Sequence, residues 1–285
     1  MKTVRADPRL YKYLNVIVKG ENAVREVVRV NAEMGVDWIK TRTGGTASSP
    51  GGWDPKTEVY TLEEITALVE EASAHGIPVA CHAHGEHVIN NAIRGGCRTI
   101  EHGFYITEAN LRLMREHGTI WNPTYTSVEG YMFPHDDYNS SASRMRAPWA
   151  LHNMRKMLAI AHELGVEIIT STDTQYGPQS DTRVSGEIIN FVEYAGMSPL
   201  EAIQSATIVS ASVYGLSEET GAIEVGLEAD FVAYDRNPLE DVHVLSDPMF
   251  VMSNGRLVYH RTVTAEGFIA PRSEWRGYGT GGPNR

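Results

Sequence analysis

Cysteine, basic charge and long apolar runs are what this sequence of 285 residues lacks, and each absence excludes a class of protein. Two cysteines, Cys81 and Cys97, cannot make a disulfide-dense scaffold, and each borders an apolar run, so they read as reduced, buried thiols. With 25 Lys and Arg against 36 Asp and Glu, the net charge of -11 leaves no electrostatic footprint for nucleic acid or an anionic membrane surface. No apolar run reaches the roughly eighteen residues that a membrane-spanning helix needs. The opening Met1-Lys-Thr-Val-Arg-Ala-Asp also lacks the apolar core of a secretory signal. The expectation is a soluble, cytoplasmic protein.

What the chain does have is enough apolar residue, 42%, for one large domain or one domain with a small satellite. Glu21 to Met34 carries Val24, Val27, Val28 and Val30 at helical spacing, and Gly35 stops it before the strand Val36-Asp-Trp-Ile-Lys40. A Gly-, Ser- and Thr-rich loop, 41–53, follows. Thr61 with Glu64 then reads as a capping box opening a helix that ends at Gly76. The rhythm repeats with strand 78–82, helix 86–94, strand 98–101, helix 107–116 and strand 119–122. After an irregular stretch near 134–141, a helix ending at Leu164-Gly165 leads to a fifth strand, Val166 to Asp173. Helix-then-strand five times over predicts an α/β fold with a parallel sheet and right-handed crossovers. Helices near 184–195 and 198–213 close that part, the second announced by Ser198-Pro-Leu-Glu201. Short β-like runs such as Phe231-Val-Ala-Tyr and Met249-Phe-Val-Met follow from Gly221. The domain reading is therefore 1–220 for the α/β part, 221–263 for a β appendage and 264–285 for a polar, Gly-rich tail.

Chemistry gathers where the apolar strands stop, as it does at the carboxyl ends of parallel strands. Pro78-Val-Ala-Cys-His82-Ala-His84-Gly85 ends in two histidines, and Ile100-Glu101-His102-Gly103 in another. Lys40 and Asp173 close two further strands. Imidazole and carboxylate suit zinc and similar divalent ions, whereas a protonated lysine is a poor ligand. A single strand-end histidine is usually structural. Two of them in step with Lys40 and Asp173 favour ligation. His84 is a further candidate for the site, and Glu101 either orients a ligand or caps the strand. His75, His117 and His162 lie near helix C-termini, where a cation meets the dipole and needs no chemistry.

These residues resemble the amidohydrolase superfamily, in its imidazolonepropionase-like and Xaa-Pro dipeptidase-like branch, over about residues 21–262. The carriers are Asp37-Trp-Ile-Lys40 with Thr43-Gly-Gly, His82-Ala-His-Gly85, Ile100-Glu-His-Gly103, Ser171-Thr-Asp173, Ser198 to Thr207, and Gly226-Leu-Glu-Ala-Asp-Phe231. The resemblance implies a metal-dependent (β/α)₈ barrel flanked by a small β-sandwich. It implies that Lys40 is a carboxylated lysine bridging two metals, and that His82 and His102 are ligands from strands five and six. Asp173 is implied to be the strand-eight aspartate, a ligand of the other metal and the general base. The implied reaction is cleavage of an amide or peptide C–N bond by metal-activated water. Substrate contacts would come from the strand-end loops, with Arg42, His84, Tyr125, Tyr176 and Arg183 as candidates; a guanidinium there could hold a substrate carboxylate.

One departure qualifies the resemblance. The family's first strand carries a His-x-His pair, and the one His-x-His here, His82 and His84, lies downstream of Lys40. Strands four to eight and part of the sandwich are then what the sequence contains. Five strands cannot close a barrel, so an oligomer or a partner chain is expected over the open edges. One zinc ion, held by Lys40, His82 and His102, is expected where the family holds two. The expected substrate is a small-molecule amide or peptide. Two alternatives stand beside this reading: a non-catalytic remnant or subunit with an incomplete metal centre, and a related hydrolase acting on cyclic amides, esters or carbon–halogen bonds.

Overall fold

The computed structural model describes residues 17–45, 54, 56–132, 141–173 and 184–261. In chain order the elements are α1 (Glu21–Glu33), β1 (Ile39–Arg42), α2 (Leu62–Ala74), β2 (Val79–Ala83), α3 (Glu86–Arg94), β3 (Thr99–His102), α4 (Glu108–His117) and β4 (Ile120–Asn122). Then come α5 (Tyr125–Gly130), α6 (Ser141–Glu163), α7 (Val184–Asn190) with a π-helical turn at Phe191–Ala195, α8 (Pro199–Ala206) and α9 (Ile208–Val213). The chain ends in β5 (Phe231–Ala233), a 3-10 turn at Val242–Ser246, β6 (Phe250–Ser253) and β7 (Arg256–His260). It divides into two units, Met1–Pro123 with Ser140–Ile168 and Thr124–Asn139 with Ile169–Arg285.

In the first unit, β1 to β4 form one parallel sheet in sequential order. Sequential parallel strands need a crossover each, and α2, α3 and α4 supply it. One face carries Ile39, Cys81, Ile100 and Trp121, all buried. The other face is polar, and the register lines it up: Arg42 pairs with His82, His82 with Glu101, and Glu101 with Asn122. Lys40, two residues before Arg42, lies on that same face. Among the described residues β1 has a strand neighbour on one side only.

The capping signals act as the sequence suggests. Thr61 Oγ1 accepts the Glu64 amide at 3.3 Å, and the Glu64 carboxylate accepts the Thr61 amide at 3.0 Å. Glu64 reaches further, accepting from the Gly20 amide at 2.6 Å and from Lys19 Nζ at 3.2 Å, so one carboxylate ties the start of α2 to the entry of α1. Thr61→Ala is expected to cost about 1 kcal/mol of stability by removing the side-chain cap. Urea unfolding monitored by circular dichroism would read this as a lower midpoint at an unchanged slope.

Three expectations need correction. The first strand runs past Lys40 to Arg42, so Lys40 sits within the ladder and not at its end. The fifth strand is reduced to a single bridge, Trp121 to Ile168. Beyond the bridge, Thr170 N donates to the Ser205 carbonyl at 3.2 Å, and the Thr170 and Ser205 hydroxyls meet at 2.7 Å. The cysteines are joined: Cys81 and Cys97 form a disulfide with Cα atoms 6.0 Å apart. Counting cysteines could not reveal this, because what brings them together is β3 pairing beside β2. Closing a loop of this length contributes about 3 kcal/mol through the unfolded chain's entropy. A disulfide is uncommon in cytosolic proteins, so this pair lends the cytoplasmic expectation no support. Among the described residues no helix is long and apolar enough to cross a membrane.

In the second unit, α8 opens as its sequence announces, with Ser198 as cap, Glu201 closing the capping box and Pro199 at the first helical position. Thr207, outside helical geometry at φ -124° and ψ -101°, separates α8 from α9 where the sequence reading ran one helix through. The strands β5, β6 and β7 make a three-stranded antiparallel sheet. Arg261, buried just after β7, clamps it by donating to Asp235 and Asp247, each at 2.7 Å. The irregular stretch near 134–141 lies almost wholly outside the described residues, as does the tail 264–285.

Candidate metal centre

At the carboxyl ends of β2 and β3 three imidazoles meet. The His82 ring centroid lies 4.5 Å from that of His84 and 4.6 Å from that of His102, and His84 and His102 stand 5.3 Å apart. Strand geometry explains the first pair, since residues two apart share a face. His102 is different: strand alternation would send it away from Glu101's face. Its backbone is left-handed instead, at φ 71°, and Gly103 follows at φ 68°. That double turn breaks the alternation and brings the ring to His82. A side chain at Gly103 would be strained at this φ and would set a Cβ 3.0 Å from Trp121 Nε1, which donates to the His102 carbonyl at 3.1 Å. Strained backbone at a strand end is characteristic of functional sites.

Burial holds all three rings neutral. It pushes His82 down to about 3, with the charges of Arg42 and Lys40 adding to the effect. His84 and His102 are depressed well below the ordinary histidine range by burial first and by neighbouring His82 next. A neutral imidazole is the form that binds a metal. His82 Nε2 lies 3.3 Å from the Gly45 carbonyl. His84 Nδ1 is buried without a hydrogen-bond partner, an arrangement a protein seldom tolerates unless something else satisfies the nitrogen.

Glu101 organises the adjoining row. It is buried and accepts from Thr99 Oγ1 at 2.5 Å and from Asn122 Nδ2 at 2.8 Å, and Lys40 Nζ stands 3.5 Å from its Oε2. The lysine is half exposed, so this ion pair is worth little as stability. Its consequence is orientation, because it holds the amine over the polar face beside His82. Asn122 was not singled out in the sequence, and only the β3–β4 register places it in this row.

The structure thus gathers Lys40, Arg42, His82, His84 and His102 in the first unit. Asp173 and Tyr125 belong to the second. Asp173 is exposed and left-handed at φ 48°, and Tyr125 is fully buried at the start of α5, its ring 5.6 Å from Tyr194. Tyr176 and Arg183 lie outside the described residues. Among the described residues no three His, Cys, Asp or Glu side chains converge as a metal-holding group by themselves. The set fits a divalent ion in donor chemistry, with neutral imidazoles and an orphaned buried nitrogen.

Several known proteins are similar to this chain. Ochratoxinase of Aspergillus niger is 33% identical over 236 residues, which are 82% of this chain and 48% of that protein. The imidazolonepropionase of Symbiobacterium thermophilum is 28% identical over 179 residues, 61% of this chain and 37% of that one. A crystal structure of a Xaa-Pro dipeptidase with methionine bound in its active site aligns with a TM-score of 0.73 at 32% identity, covering 85% of this chain and 59% of the dipeptidase. The chain therefore spans about half the length of the curated relatives it matches, and the likeness carries a TIM-barrel-like α/β fold. The amidohydrolase family profile matches residues 5–258, and this chain belongs to that family.

Proposed function

We propose that this chain is the metal-binding part of a hydrolase that cleaves an amide or peptide bond in a small molecule. The observation that carries the reading is the group of three neutral imidazoles beside Lys40 at the ends of parallel strands. We read β1 to β4 as strands four to seven of a barrel within residues 1–220, 221–263 as part of a β-sandwich and 264–285 as a tail. His82 and His102 would hold a zinc ion, with Lys40, carboxylated, as the third ligand and Asp173 toward a second metal position. When bound, such an ion supplies Lewis acidity toward the scissile carbonyl. Asp173 takes the proton of the attacking water and returns it to the leaving nitrogen. Arg42, with Tyr125, Tyr176 and Arg183, is assigned to the substrate, and His84 to orienting its neighbours or touching the substrate.

The Xaa-Pro dipeptidase that is 32% identical over the aligned residues supports trying dipeptides ending in proline first. Proline release from Xaa-Pro dipeptides by zinc-supplemented protein is the direct test. The expected result is release that a chelator abolishes and zinc restores, with zinc found by plasma mass spectrometry. Protein that holds no zinc and releases no proline would overturn the reading in favour of a remnant without catalysis.

The edge of β1 that has no strand neighbour among the described residues also supports an oligomer or partner chain. Light scattering on the eluting protein should give a mass above that of one chain. A well-behaved monomer would count against it.

A further inference from the structure

The second unit holds a carboxylate that the proposed chemistry does not use. Glu187, on α7, is fully buried, and its two oxygens each accept a backbone amide from the first turn of α5: Tyr125 N at 2.7 Å and Thr126 N at 2.8 Å. Those amides come from residues more than sixty positions earlier, and helix-terminal amides are donors that must find a partner outside their own helix. The approach is close by design of the sequence. Gly186 precedes Glu187, and a Cβ there would sit 3.2 Å from Thr126 Cγ2, a tight contact that a few tenths of an ångström of adjustment at Thr126 would have to relieve. Just before α5, Thr124 has left-handed backbone at φ 50°, a conformation that surrounding contacts must enforce.

We propose that Glu187 is a positioning residue: its carboxylate fixes the first turn of α5 and thereby the placement of Tyr125. The inference rests on the reading of Tyr125 as a substrate contact. Tyr125 is the residue whose own amide Glu187 grips, so the carboxylate sets the backbone from which the phenol projects.

The grip depends on charge. Burial, strengthened by Glu129 and opposed by the two amide bonds, lifts Glu187 to about 7. Glu129 lies on α5, where Asn190 of α7 donates to it at 3.1 Å. The charged groups of the other elements packed on α7 are engaged elsewhere: Glu193 of the π-helical turn faces His243 of the 3-10 turn at 3.5 Å, and Glu201 caps its own helix, α8. Ionised, Glu187 accepts with both oxygens. Protonated, one oxygen becomes a donor and an amide loses its acceptor. The amide bonds favour the ionised form, so while Glu187 stays buried the hold on α5 weakens as the pH falls through about 7, whereas the stability of the whole unit, where burial dominates, moves the other way over the same range.

Hydrogen-exchange mass spectrometry of residues 124–130, corrected for intrinsic exchange, tests this in the wild type and in Glu187→Gln. The expected result is protection that falls roughly tenfold or more in the variant. In the wild type, protection of this segment relative to the rest of its unit should also fall as the solution is acidified through neutrality, a dependence the variant lacks. Protection that is equal in both proteins and flat with pH overturns the proposal, and the wild-type series decides it even if the variant folds poorly. With a Xaa-Pro dipeptide as probe, Glu187→Gln should lower kcat/KM and add no further loss on top of Tyr125→Phe. Losses that simply add would also overturn it. If the wild type releases no proline, it is the functional reading that fails, and the exchange measurement alone decides the role of Glu187.

Discussion

Asparagine in place of His102 is expected to strip the centre of its metal while leaving the fold in place. Position 102 needs left-handed backbone at φ 71°, and asparagine, like histidine, adopts that conformation more readily than most residues. The Trp121 indole bonds the His102 carbonyl and not the ring, so that contact survives the exchange. What is lost is a buried, neutral imidazole whose centroid lies 4.6 Å from that of His82. Losing even an outer-shell partner of a metal ligand costs roughly 10–100-fold in affinity, so losing the ligand itself should cost at least that. Equilibrium dialysis against zinc, read by plasma mass spectrometry, gives the affinity, and the melting temperature of the metal-free protein reports the fold. Zinc affinity equal to the wild type's would remove His102 from the centre and with it the arrangement on which the functional reading stands.

The parts of this molecule legible in the sequence are those that depend on neighbours along the chain. Apolar runs closed by glycine gave the helix–strand rhythm, and the Thr61–Glu64 and Ser198–Glu201 caps were readable because a cap is three residues long. The histidines were legible for a related reason, since His82 and His84 stand two apart where β2 runs out, a spacing that favours one face. Everything that depended on register was hidden. The polar row from Arg42 through His82 and Glu101 to Asn122 exists only because four strands pair in one particular alignment, and a shift of one residue would dissolve it.

Three further features were out of reach for physical reasons. Cys81 and Cys97 looked like two isolated buried thiols because their meeting depends on β3 lying beside β2. Val166 to Asp173 has the composition of a strand, yet among the described residues it makes a single bridge, Ile168 to Trp121, and how far two segments pair is a tertiary matter that leaves no mark in composition. Glu187 resembled any acidic residue in the first turn of a helix, the ordinary place for one on an exposed surface. Its neighbour Gly186 was the available signal, because a glycine inside a helix is costly unless something packs against it.

The largest effect on turnover is expected from Asp173→Asn. Asp173, too, is left-handed, at φ 48°, and asparagine tolerates that backbone, so the substitution replaces a proton acceptor by a near-isostere that cannot take a proton. General acid–base catalysis by a positioned side chain contributes typically 10²–10⁴-fold, and a fall of roughly that size in kcat for Xaa-Pro hydrolysis is the expected outcome. KM should change little, because a proton acceptor acts in the transition state and contributes little to ground-state binding. Zinc content separates this role from ligation. If His82, His102 and Lys40 hold the first ion, the variant keeps it and loses turnover, whereas a variant that loses zinc in proportion to activity makes Asp173 a structural ligand instead. Wild-type turnover in the variant would show that the proton goes elsewhere. The carboxylate at the end of Ser171-Thr-Asp173 would then have no part in the reaction, and the base would have to be sought among the side chains that face His82.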